Sequence, residues 1–109
     1  MGRVSRSRLE GGGFARLTYP PFDVLVALVD NAAYALEDAC NHAGASLSEG
    51  GREGDCVTCP MHGYVFDIAT GKLMRPLGLC DDQRTLVARI EGEEVVVWDP
   101  GAGVHITGP

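Results

Sequence analysis

No stretch of this 109-residue chain approaches the roughly 20 consecutive apolar residues that a membrane-spanning helix requires. Positive charge is scarce: nine Lys and Arg stand against fifteen Asp and Glu, for a formal net charge of −6. That balance argues against a nucleic-acid partner, which wants a basic surface, and against docking on an anionic membrane. It suits either solubility alone or encounter with basic patches on a partner. The N-terminus carries Arg3, Arg6 and Arg8, but no apolar run follows them and no two are adjacent, so no export signal is read. Without export, the four cysteines are expected as reduced thiols or metal ligands in a cytoplasmic protein. Also missing are an internal repeat, a useful amphipathic helix and a linker, and the length fits one domain spanning residues 1–109.

What is plentiful is glycine, at 15 residues about twice the usual share, which favours turns and short strands. Residues 1–13 read as a polar, flexible lead ending in Gly11-Gly12-Gly13. Strands are expected over 14–19, then after Pro20-Pro21 over 22–29, a β-branched and aliphatic run, and over 34–37 beyond a turn at Asp30-Asn31. Residues 40–51 have loop composition. Short strands follow at 55–58 and 64–68, separated by a loop at 59–63, with a turn at 69–72. Residues 73–82, containing Pro76 and Gly78, read as irregular. A hairpin of 85–90 and 93–98 turns at Glu91-Gly92, and 100–109 reads as a tail. The sum is an all-β antiparallel sandwich or barrel with two inserted loops.

Those two loops hold the chemistry. Cys40-Asn41-His42 and Cys59-Pro60-Met61-His62-Gly63 each supply one thiolate and one imidazole. Two thiolates suit a buried iron bridged by sulfide, and two neutral imidazoles suit a second iron, which removes negative charge and raises the reduction potential. A zinc site is the competing reading, either from these four residues or from Cys56-Val57-Thr58-Cys59 with His62. Cys56-x-x-Cys59 as a thioredoxin-like pair lacks the surrounding βαβ pattern. Cys56 and Cys80 read as small core residues or half-exposed thiols, and His105 as a solvated tail residue. Trp98 and Phe22 read as core or edge-strand residues, and Glu93-Glu94 and Asp81-Asp82 as solvated turns.

The boxes Cys-Asn-His-Ala-Gly and Cys-Pro-Met-His-Gly-Tyr-Val-Phe-Asp, with flanking 45–50 and Thr70-Gly71, resemble those of Rieske [2Fe–2S] domains, over about residues 22–98. The resemblance implies a Rieske-type fold with a cluster-binding subdomain. Cys40 and Cys59 would bind the inner iron, and His42 and His62 the outer one through Nδ1, making the histidine edge the electron exit. Gly44 and Gly63 would admit backbone N–H groups close to sulfide. Pro76 would sit in a covering loop or serve as a simple turn residue. The implied activity is one-electron carriage from a ferredoxin reductase to a terminal enzyme such as a ring-hydroxylating oxygenase. The chain is expected not to be that oxygenase, which adds a two-His-one-carboxylate iron domain. The alternatives are the small subunit of an assimilatory nitrite reductase and a zinc-binding or non-redox module.

Departures from the quinol-oxidising branch matter. Met61 and the neighbourhood of Gly44 replace its extra disulfide cysteines, and Tyr64 and Phe66 replace its serine and tyrosine hydroxyl donors. Fewer donors to cluster sulfur imply a midpoint near the bottom of the range, on the order of −150 mV. Reduction adds charge beside two imidazoles and tightens their proton binding. The midpoint is therefore expected to stay flat near neutrality and to fall only in alkali.

Overall fold

The computed structural model describes residues 2–19, 22–39, 46–61, 63–75 and 82–99. Among the described residues, ten antiparallel strands form two sheets, one of six strands in the order β1-β10-β9-β4-β3-β2 and one of four in the order β5-β6-β7-β8. No helix among the described residues is long and apolar enough to cross a membrane.

The centre of the molecule is β3 (Phe22–Val29), whose aliphatic run is buried on both faces. Successive side chains of a strand point to opposite sides. Leu25, Ala27 and Val29 therefore enter one core, and Val24, Val26 and Leu28 enter another. Its partners are β2 (Ala15–Tyr19) and β4 (Ala32–Glu37). The β3–β4 turn has two residues, Asp30 and Asn31, with φ of 52° and 67°. This is the left-handed pair that a tight hairpin demands and that Asp and Asn tolerate best. A second hairpin joins β9 (Thr85–Glu91) to β10 (Glu94–Trp98). Its turn is Gly92-Glu93, one residue later than expected, because Glu91 pairs directly with Glu94.

The N-terminal segment departs from its reading as a flexible lead. Gly2–Ser5 is a strand, β1, paired along its length with β10. Val4 and, after a short 3₁₀ turn at Arg6–Arg8, Leu9 are buried in the second core. The Arg3 guanidinium donates to Glu94 at 3.1 Å across the pairing. The Leu17 side chain on β2 lies 3.3 Å from where a Cβ on Gly2 would stand, so the edges of the six-stranded sheet approach and the barrel nearly closes.

The small sheet comprises β5 (Gly51–Glu53), β6 (Cys56–Thr58), β7 (Val65–Asp67) and β8 (Leu73–Arg75). β6 and β7 lie within the expected strands. β5 begins at the last residue of the 40–51 loop and is not among the expected strands, and β8 falls in the irregular stretch; each has only three residues, too short for a period to show. Val57, Phe66 and Leu73 of this sheet pack on the Leu25, Ala27 and Val29 face of β3. Trp98 is half-buried on β10, which lies inside the large sheet and is not an edge. The Pro20-Pro21 break, the Phe22 side chain and the tail from residue 100 lie outside the described residues.

Candidate metal centre

Of the four ligand candidates, Cys59 is described; Cys40, His42 and His62 lie outside the described residues, as do Gly44, Pro76, Cys80, Asp81 and His105. Along β6 the side chains alternate, Val57 inward and Cys56 and Thr58 outward, and Cys59 continues inward. It is 1% exposed, among Leu25, Leu47, Val57 and Phe66. Its N–H donates to the Tyr64 carbonyl at 2.7 Å, and its carbonyl accepts from the Gly63 N–H at 3.0 Å. These two bonds close a turn that presents Pro60 and Met61 to solvent. Gly63 has φ of 74°, and a Cβ there would meet nothing within 4 Å, so the turn requires glycine for its backbone angle and not for space. Among the described residues Met61, at 63%, is the more exposed of two large apolar side chains that reach solvent; Met74 is the other.

The first box hangs from a neck that the structure shows clearly. Ala39 and Ser46 bridge each other across residues 40–45. Asp38 fastens this neck: its carbonyl accepts from Leu47 N–H at 2.8 Å, and its carboxylate accepts from Ser48 N–H at 2.7 Å and Ser48 Oγ at 3.0 Å. That carboxylate is buried, and a charge in such a place needs hydrogen bonds and a counter-charge. Arg16 on β2 supplies the charge, with Nη1 3.8 Å from Asp38, and also donates to Ser46 Oγ at 3.2 Å.

Cys56 faces the other way. It is half-exposed on the outer face of the small sheet, opposite Asp67 across the β6–β7 pairing. Partial burial first, then the carboxylates of Asp67 and Asp55, push its thiol pKa above the ordinary value, with Arg75 opposing. The thiols of Cys56 and Cys59 leave opposite faces of one strand, which removes the Cys-x-x-Cys zinc and dithiol readings. Glu93 and Glu94 are both exposed; Glu93 lies in the expected turn, while Glu94 begins β10.

Cys59 places a soft sulfur donor, 1% exposed, in an apolar lining that excludes water, and soft sulfur is the ligand that iron–sulfur clusters take. The donor chemistry of this site therefore fits a sulfur-ligated iron. Sequence reasoning missed the supporting residues Asp38, Arg16 and Ser48. Nothing in their composition marks them, though an acid two residues before Cys40 with serines on the far side of the box was the available signal.

Comparison with known proteins agrees with this chemistry. The pattern of the Rieske [2Fe-2S] domain matches residues 5–77. The chain is 38% identical over 93 residues to the ferredoxin component of biphenyl 2,3-dioxygenase from Rhodococcus jostii (strain RHA1), covering 85% of this chain and 86% of that protein. It is 39% identical over 83 residues to the biphenyl dioxygenase ferredoxin subunit of Pseudomonas sp. (strain KKS102), covering 75% of each. Its fold superposes with a TM-score of 0.81 and 30% identity on a chain from the complex of reduced oxygenase and oxidized ferredoxin in carbazole 1,9a-dioxygenase, covering 89% of this chain and 90% of that one.

Proposed function

The chain belongs to the Rieske [2Fe-2S] domain family, and from that premise we propose that it carries single electrons from a ferredoxin reductase to a terminal ring-hydroxylating dioxygenase. The observation that carries this reading is the 38% identity that runs through 85% of the chain to a dioxygenase ferredoxin component of matching extent. It favours the carrier over the nitrite reductase subunit and the zinc module. A bound [2Fe–2S] cluster supplies reversible one-electron chemistry. Cys40 and Cys59 would hold one iron as thiolates, and His42 and His62 would hold the other as neutral imidazoles.

The protein's own contribution is placement and exclusion of water. Leu25, Leu47 and Phe66 keep solvent from Cys59, and the Asp38 neck sets where the Cys40–His42 box leaves the large sheet. Met61, exposed beside His62, offers apolar contact to the partner. Catalysis belongs to that partner; this protein is an electron-transfer component. We place it in the cytoplasm, where thiols stay reduced for cluster assembly, and treat residues 1–109 as one domain.

Iron and acid-labile sulfide analysis tests the proposal: about two of each per chain are expected, with a visible spectrum and, after dithionite reduction, an electron paramagnetic resonance signal of mixed histidine–cysteine ligation. Replacing Cys40, His42, Cys59 or His62 singly should abolish that signal. A colourless protein, or one whose signal survives these substitutions, refutes the ligand assignment. Failure to pass electrons from a reductase to a dioxygenase while fully loaded refutes the partner assignment.

A further inference from the structure

We propose that Gln83 is a positioning residue for the metal centre, its side-chain amide setting the distance between the two halves of the molecule that carry the ligands. The inference rests on the ligand assignment above, and it concerns a residue outside both boxes.

Cys40 follows β4 of the large sheet, and Cys59 follows β6 of the small one. Two ligands meant for one iron thus hang from separate sheets, and something must fix the gap between them. The backbone ladder does not reach far enough. β4 and β9 pair at Ala35–Leu86 and Leu36–Thr85, and the run continues with the Glu37 N–H donating to the Arg84 carbonyl at 2.9 Å. Beyond that point Gln83 turns its own N–H to the Gly71 carbonyl, at 2.7 Å, between β7 and β8 of the small sheet. The adjoining Asp82 carboxylate accepts from the Leu73 N–H of β8 at 2.9 Å. The backbone at 82–83 is therefore committed to the small sheet.

The Gln83 side chain reaches back to the large one. Its Nε2 donates to the Glu37 carbonyl at 2.7 Å and to the Ala39 carbonyl at 2.5 Å. Both partners are acceptors only, so the NH₂ end of the amide must face them, and both its protons are used. The residue is 3% exposed, so water does not compete for these bonds. The Ala39 carbonyl belongs to the planar peptide unit that joins Ala39 to Cys40. Holding that oxygen orients the unit from which Cys40 springs. One buried amide thus spans from the small sheet's β7–β8 turn to the last peptide before the first thiolate. It continues a strand pairing with side-chain atoms where the backbones have parted.

Gln83→Ala removes both donors and takes the amide's bond from two carbonyls; Gln83→Met does the same while keeping length and bulk, and serves as the second variant where the alanine protein does not fold. Val97→Ala, in the other core and far in sequence from both boxes, is the control for lost stability alone. Each protein is prepared with its metal, and three quantities are read: the g values of the reduced form, the midpoint potential, and the rate of iron loss to a chelator at a fixed interval below each protein's own Tm. The Gln83 variants should lose iron about thirtyfold faster than Val97→Ala, as two hydrogen bonds of ordinary strength imply. Their g values and midpoint should move, while those of Val97→Ala stay with the parent. Gln83 variants that match Val97→Ala in all three overturn the proposal and leave Gln83 a residue of the core. A parent protein without iron overturns the ligand assignment instead, so the two failures are told apart.

Discussion

A single methyl group added at Gly50 is expected to disturb the small sheet and the Cys59 turn together. A Cβ at this position would stand 1.8 Å from the Thr58 carbonyl oxygen and 3.1 Å from the Pro60 ring. Thr58 would have to retreat by about 1.5 Å to restore ordinary contact. Gly50 cannot yield easily in its place: its N–H is bonded to the Leu47 carbonyl at 2.9 Å, and the next residue, Gly51, pairs with Thr58. The displaced Thr58 adjoins Cys59, so the strain arrives at the metal ligand. Gly50 has φ of −89°, which any residue adopts, so the effect is purely steric. Overpacking of this kind costs about 3 kcal/mol. With an unfolding entropy of about 2.1 cal/mol/K per residue, the chain should melt ~13 °C lower. Gly51→Ala is the control, because a Cβ there meets nothing within 4 Å. It should change stability by no more than about 0.5 kcal/mol, or ~2 °C. Thermal unfolding followed by circular dichroism, with iron counted per chain, decides the matter. A Gly50→Ala protein that melts within ~3 °C of Gly51→Ala and keeps its iron would refute the reasoning.

Asp38→Ala should destabilise the chain by about 2–4 kcal/mol in urea titration, since the Ser48 N–H and hydroxyl lose a buried acceptor; Asp38→Asn, which keeps an acceptor, should cost less, and equal costs would contradict this account. The Cys56 thiol should resist iodoacetamide at neutral pH, because only the thiolate reacts and burial and nearby carboxylates hold the proton on. Folding gains from that neutral thiol below the ordinary thiol pKa and loses the gain as pH climbs through the higher folded value. A pH–rate profile with its midpoint at or below that of a free thiol would be the contrary result. The reduction midpoint should lie near −150 mV. Phe66→Tyr should raise it by about 50 mV, as one added hydrogen bond to a one-electron centre implies; an unchanged or lower midpoint would show that position 66 does not reach the cluster sulfur.

The sequence made the central hairpins legible because their cues are local. The aliphatic run of β3, the Asp30-Asn31 turn and the β9–β10 pair each announce themselves within a dozen residues. β1 was not legible, since among residues 2–5 only Val4 is apolar and the strand exists through its pairing with β10 at the other end of the chain. β5 and β8 failed for the same reason at shorter range, being three-residue strands defined by their neighbours. The ligand boxes stood out by residue type and spacing. Asp38 and Gln83 did not, because a buried Asp or Gln looks like a surface one until its partners are placed around it.

β3 is a party wall between two rooms: Leu25, Ala27 and Val29 furnish the core that holds Cys59, and Val24, Val26 and Leu28 furnish the core under β1, β9 and β10. Neither room can unfold alone. Stripping the iron should therefore slacken the remote barrel as much as the ligand-bearing sheet, and calorimetry of the metal-free protein should record one lowered peak in place of two.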